Sequence, residues 1–166
     1  MHFNLILLVV CILICEAAGA VGGVFTVFAR NPWLKAQRKS IINPPDWAMG
    51  PLWAGFYTLM GIALYLVWRL PSDTPNRTVA LALFAVQLVL NVLWYILLFK
   101  AKHPFIAYID LMVVWIVLLD TTITFGCLLP VCFFLLVPAW IWVSFEAYLN
   151  FAMVSLNDEP VATRHP

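Results

Sequence analysis

Four carboxyl side chains stand where carboxylates are costly. Glu16, Asp110, Asp120 and Glu146 lie inside long apolar runs. An Asp at the centre of a membrane-spanning helix costs on the order of 2.5–3.5 kcal/mol on insertion scales. A carboxyl kept against that cost either serves a ligand or proton site, or is paired inward with a Trp N–H, a Ser/Thr hydroxyl or an Asn amide of a neighbouring helix. Asp110 falls early in its run, Glu146 lies deep in the last one, and Asp120 stands toward the outer interface. Amides and indoles join them. Gln87, Asn91 and Trp94 follow at i, i+4 and i+7, so a helix sets them on one face, and Trp142, Glu146, Asn150 and Met153 repeat the pattern. Amides in lipid face protein or a cavity. Two such stripes therefore mark a polar-dotted interior, built either for interhelical hydrogen bonds alone or for a ligand.

Other chemistries lack their residues. His2, His103 and His165 are terminal or in a connection, which removes the usual haem axial ligand and His-based metal sites. There is no Gly-rich phosphate loop, no G-x-S-x-G and no Ser/His/Asp set that could assemble within the spans. Cys11, Cys15, Cys127 and Cys132 form no C-x-x-C pair and read as buried, apolar thiols rather than zinc ligands or a disulfide framework. Neither a metal nor a resident cofactor is expected. A Trp-rich, weakly polar lining suits a flat aromatic ligand held by stacking and oriented by one or two hydrogen bonds.

Only long helices can position such a lining. Hydrophobic residues make up 64% of the chain and charged residues 10%, against roughly 25% charged in a soluble domain. A soluble fold of 166 residues has too much surface for its volume to hide that apolar content, so the lipid bilayer is the first partner. Eight tryptophans suit two membrane–water interfaces. A net charge of +1, without a basic stripe or tail, gives no nucleic-acid signal. Five runs reach the length of a spanning helix, at 3–28, 47–68, 79–99, 105–126 and 131–156, and none alternates like a barrel strand. The expected fold is all-α: one five-transmembrane-helix bundle over 1–157, then a short disordered tail at 158–166. The first run has no Lys or Arg before it and reads as a span rather than a signal peptide. Within it, Gly19 and Gly23 form a small-xxx-small pair for close helix approach, inside the monomer in preference to a dimer. One side of the membrane collects Arg30, Lys35, Arg38, Lys39, Lys100, Lys102 and Arg164, and the other only Arg69 and Arg77. That asymmetry places the N-terminus outside and the C-terminus in the cytoplasm. Neither an inverted repeat nor paired broken helices speaks for transport.

Four blocks carry a resemblance to a known family. The first is Asn43-Pro-Pro-Asp-Trp-Ala-Met-Gly-Pro-Leu-Trp53, continuing into Tyr57-Thr-Leu-Met-Gly-Ile-Ala63. Gln87-Leu-Val-Leu-Asn-Val-Leu-Trp94 follows, then Ile109-Asp-Leu111 with Trp115, then Leu136-Val-Pro-Ala-Trp-Ile-Trp-Val-Ser-Phe-Glu-Ala-Tyr-Leu-Asn150. In order and spacing these resemble the translocator protein family (TspO/MBR, the peripheral-type benzodiazepine receptor family) over about residues 15–157. The resemblance implies a five-helix bundle, commonly a homodimer, with a pocket closed by the first loop. It implies a membrane translocator or sensor that binds porphyrins such as protoporphyrin IX, as ligands rather than cofactors, and other flat hydrophobic molecules. A light-dependent porphyrin-degrading enzyme, or a regulatory partner in tetrapyrrole or stress physiology without transport, stands as the alternative. The membrane implied is a bacterial cell envelope or a mitochondrial outer membrane.

The family's pocket positions fall on Pro44, Trp53, Gln87, Asn91, Trp94, Asp110, Leu111 and Trp142, with Trp33 as the capping tryptophan of the first loop. Trp53 and Trp142 are the two tied to porphyrin chemistry, and would be the catalytic pair were porphyrin degraded. Glu146 joins the ligand-binding set where a small residue is expected, to pair with a ligand cation or with another helix. Ile42, Leu34 and Ala139 replace aromatic residues common in the family. The proposed cholesterol motif needs Lys or Arg soon after a Tyr. After Tyr148 the next basic residue is Arg164, so sterol recognition by that route is not expected.

Overall fold

The computed structural model describes residues 4–28, 37, 38, 40, 42 and 44–157, without the side chains of 25–28 and 46. Trp33, Leu34 and the tail at 158–166 lie outside the described residues. Five helices carry most of the rest: α1 (Leu5–Phe28), α2 (Asp46–Trp68), α3 (Arg77–Tyr95), α4 (Pro104–Leu128) and α5 (Pro130–Asn157). A π-helical turn, Ile96–Lys100, extends α3. All five are long and apolar enough to cross a membrane, and no strand occurs among the described residues. The chain is an all-α, multi-pass membrane protein, the class in which each backbone bonds within its own span.

Prolines and one arginine set the ends. Pro45 is the extended cap of α2 (φ −63°, ψ 141°), so the helix starts just after the Pro-Pro pair and not within it. Pro104 and Pro130 stand at the first position of α4 and α5, where a missing N–H costs no helical bond. Only Leu129, extended at φ −146°, separates α4 from α5. α3 begins two residues before the expected Val79, after Asn76 turns left-handed at φ 62°. Arg77 then reaches back, donating to the carbonyls of Val67 (3.3 Å) and Trp68 (2.7 Å). Those last-turn carbonyls of α2 have no partner within their own helix.

The helices close into a ring: α1 lies beside α2, α2 beside α5, α5 beside α4, α4 beside α3, and α3 returns to α1. Tyr57, Phe84, Leu111, Phe125, Leu136 and Val143 fill the interior, while Ile6, Val89 and Phe134 point outward to lipid. Trp115 Nε1 donates to Ser144 Oγ (2.7 Å), whose hydroxyl donates to the Trp140 carbonyl (2.9 Å), tying α4 to α5. Cys11, Cys15 and Cys132 are buried thiols as expected, whereas Cys127 is exposed on the last turn of α4.

Small residues let α1 approach its neighbours, but the pair differs from the expected one. Gly19 faces the Tyr57 ring and Gly22 the Tyr95 ring, while a methyl on Gly23 would meet nothing within 4 Å. The contact face therefore uses i and i+3, and it is used inside the monomer. On α2, a methyl on Gly61 would lie 2.5 Å from the Ile12 Cα, a backbone atom that cannot step aside. Gly61→Ala should lower the melting temperature of the detergent-solubilised protein by several degrees, from overpacking of about 1–3 kcal/mol. Gly23→Ala should leave it unchanged, and equal melting of the two variants would refute the α1–α2 contact.

Candidate aromatic binding site

On α2, Trp53, Phe56 and Tyr57 stand at i, i+3 and i+4, so one helix face presents all three. On α5, Trp142 and Glu146 are one turn apart. Trp53 Nε1 donates to Glu146 Oε1 at 3.0 Å, and Trp142 Nε1 donates to the same oxygen, also at 3.0 Å. An indole can only donate, and a carboxylate oxygen has two lone pairs, so one acceptor positions both rings. Glu146 is 3% exposed. Its other oxygen, Oε2, has no hydrogen-bond partner among the described residues. Of the two readings open for this carboxyl, inward pairing with Trp N–H groups occupies half of it and leaves the other half bare.

Rings continue the site across three helices. Trp53 stacks on Tyr57 (centroids 5.3 Å apart) and meets Phe56 and Tyr95 edge-on at 6.2 Å. Phe56 packs on Trp142 at 5.6 Å. Tyr95 lies 4.9 Å from Trp94, and the π-helical turn places Phe99 against both. Phe56, Tyr57 and Tyr95 were not among the residues expected to form the site, although the spacing from Trp53 to Tyr57 carried the signal for two of them.

The polar residues expected on α3 and α4 are buried as well. Gln87 and Asn91 are buried, and Asn91 Nδ2 donates to the Gln87 carbonyl (2.9 Å) and Oε1 (3.0 Å). Gln87 Nε2 is left without a partner. Trp94 is held from α5: in the amide orientation that satisfies both neighbours, Asn150 accepts from Trp94 Nε1 (3.3 Å) and donates to the Pro104 carbonyl (3.0 Å). Asp110 and Leu111 are buried on α4, and Asp110 Oδ2 is also unpaired. Among the described residues, Asp110 makes no hydrogen bond to the tryptophans, so the structure joins Trp53, Trp142 and Glu146 directly and Trp94 through Tyr95. Pro44 is half-buried just before α2. The remaining carboxyls lie elsewhere: Glu16 accepts from Thr58 Oγ1 (2.9 Å) across α1 and α2, and Asp120 is exposed.

Trp53 is about two turns from the start of α2, and Glu146 about three turns from the end of α5. The site thus occupies the half of the membrane nearest the first loop. That loop is fastened there by a contact no sequence pattern announced. Arg38 N–H donates to Asn157 Oδ1 and Asn157 Nδ2 returns a bond to the Arg38 carbonyl, both at 3.0 Å.

The sequence model of the TspO/MBR family matches residues 11–156. The chain belongs to the TspO/MBR family. It is 34% identical to the Tryptophan-rich protein TspO of Chlorobaculum tepidum, over 95% of this chain and 99% of that protein. It is 34% identical to the Translocator protein of Homo sapiens over 73% of this chain and 72% of that one. Identity to the Tryptophan-rich sensory protein of Cereibacter sphaeroides is 31%, covering 85% and 87% of the two chains. Among the departures from the TspO/MBR pattern, Ile42 is exposed and Ala139 is 1% exposed.

Asn157→Ala should free the first loop. Its two bonds to Arg38, at about 1 kcal/mol each, predict roughly tenfold or more acceleration of trypsin cleavage after Arg38 in detergent, where cleavage tracks local opening. Helix content by circular dichroism should not change. Cleavage at the wild-type rate would show that the clasp does not hold the loop.

Proposed function

We propose that this protein is a membrane translocator or sensor that binds flat tetrapyrroles of the protoporphyrin IX class in the aromatic interior formed by α2, α3 and α5. The observation carrying this reading is the fixed pair of indoles, Trp53 and Trp142, set on one carboxylate oxygen, in an interior that also holds buried polar atoms without a partner, Gln87 Nε2 and Glu146 Oε2 among them. Structures built only for stability leave few such atoms. Rings of this kind hold a planar ligand by stacking, and the spare polar atoms orient it. Family membership supports the reading, as do the names of the relatives, a Translocator protein and a Tryptophan-rich sensory protein.

In this reading the ligand stacks against Trp53 and Trp142, and Gln87 and Asn91 supply polar contacts. Acidic groups on the ligand's rim face Arg38, Lys100 and Lys102 at that end of the bundle. The excess of seven Lys and Arg on the side of the first loop over two on the other supports a cytoplasmic first loop and C-terminus.

Titration of the purified protein with protoporphyrin IX, followed in the porphyrin's own absorbance, tests the proposal. Ring stacking of about 0.5–1.5 kcal/mol per pair predicts that Trp53→Phe combined with Trp142→Phe weakens binding by roughly tenfold. Equal affinity of wild type and the double variant would sink it.

A further inference from the structure

We infer that the cleft between the start of α4 and the end of α5 binds the head group of an anionic phospholipid through Lys102. The cleft is open, lies at the first-loop end of the bundle and holds about 220 Å³. Lys102 and Phe105 line it from the α4 side, Met153, Val154 and Asn157 from α5, and Gln37 from the first loop. Pockets that enclose a drug-sized ligand measure roughly 300–1,000 Å³, so this one admits a head group rather than a whole planar ligand. Asn157 is already engaged with the Arg38 backbone and the Met153 carbonyl. Lys102 is exposed, and its side chain makes no hydrogen bond or ion pair among the described residues. Of the described residues lining the cleft, it alone carries a charge.

The backbone at Lys102 is strained. Its φ is 59°, a left-handed conformation that is costly for most side-chain-bearing residues and that glycine and asparagine enter readily. Bonds on both sides hold it there. Ala101 N–H donates to the Ile96 carbonyl (2.8 Å) and His103 N–H to the Leu97 carbonyl (3.1 Å), closing the π-helical turn. Glycine would serve that turn better. A lysine there keeps an ammonium at the cleft in spite of the strain.

Charge and apolar surface around the cleft both fit a phospholipid. In the sequence, the first-loop side carries seven Lys and Arg against Asp46, Asp158 and Glu159, and basic side chains close to a bilayer attract anionic lipid. Deeper along the helices the surface turns apolar. Phe105 and Tyr108 stand at i and i+3 on α4, as do Phe151 and Val154 on α5, and the Tyr108 and Phe151 rings meet at 5.7 Å. Phe105 is 61% exposed and Phe151 52%. A charged cleft continued by an exposed aromatic seam suits an anionic head with acyl chains, whereas a free phosphate would leave the seam unused. The inference does not depend on the tetrapyrrole reading, in which Lys102 is one of three cations facing the ligand's rim. The cleft contains neither Trp53 nor Trp142.

The test gives the full chain, in maltoside micelles, equal amounts of dioleoyl phosphatidylglycerol and dioleoyl phosphatidylcholine, and reads the retained lipid by native mass spectrometry. The wild type should hold phosphatidylglycerol about fivefold more tightly, the worth of one lysine at a membrane surface. Lys102→Gly suits the left-handed turn, so it should melt no lower than the wild type and bring the two lipids to within about twofold. Lys102→Asn, at ease in the same conformation, serves if the glycine variant proves unstable. Lys102→Arg should keep the preference. Trp53→Phe combined with Trp142→Phe should keep it too, whatever that variant does to protoporphyrin IX, so the two readings can fail separately. Equal retention of the lipids by wild type, or a preference that survives Lys102→Gly or Lys102→Asn, would overturn the inference. So would displacement of the lipid by inorganic phosphate, which marks a site for a free anion.

Discussion

Lipid offers no hydrogen bonds, so an indole N–H that faces the bundle is costly unless an acceptor on another helix or within its own meets it; four of the indoles find one, whereas Trp140 Nε1 is left without a partner among the described residues. Here α5 provides those acceptors. Glu146 takes Trp53 from α2 and Trp142 from α5 itself, Ser144 takes Trp115 from α4, and Asn150 takes Trp94 from α3. Three residues within two turns of one helix thereby fix four large rings drawn from four helices. The ring order follows: α5 stands between α2 and α4, the position from which such side chains can reach in both directions.

The opposite side of the ring is held by shape. α1 makes one described side-chain hydrogen bond to α2 within the span, Thr58 to Glu16. Otherwise it relies on close approach, with Gly19 and Gly22 under the tyrosine rings and Gly61 against the Ile12 backbone. Van der Waals packing through small residues suits a helix in lipid, where no hydrophobic force drives association. The polar, aligning contacts are thus concentrated around α5, and the apolar ones around α1. Tyr57 and Tyr95 connect the two regimes, since each packs under an α1 glycine on one side and beside the Trp53 indole on the other.

Much of this was legible in the sequence because two periodicities are strong in it. Runs of apolar residues near the bilayer thickness marked the five helices, and the i, i+4, i+7 spacing of Gln87, Asn91 and Trp94 marked an inward face. What periodicity cannot supply is the partner. Glu146 was recognisable as a costly carboxyl, but its convergence with Trp53 depends on the packing of α2 on α5, between residues 93 positions apart. The Arg38–Asn157 clasp, spanning 119 positions, is illegible for the same reason. Gly22 rather than Gly23 makes the contact because a single step along a helix turns a residue by about 100°, a difference that a motif match does not resolve. The π-helical turn after Tyr95 likewise lacks a Pro or Gly to announce it.

The exposure of the rings bears on how a ligand would arrive. Trp53 and Trp94 are buried, and Trp53 already has one face covered by Tyr57. Trp142 and Phe56 are only partly buried and lie against each other on α5 and α2. A planar molecule would therefore meet the α2–α5 seam first. It would find Trp142 held by its N–H, so that the indole could not swing aside without giving up its bond to Glu146. Fixing a ring in advance removes rotamer freedom that binding would otherwise have to remove. The carboxyl at 146 thus holds in advance the two rings that would stack on such a ligand.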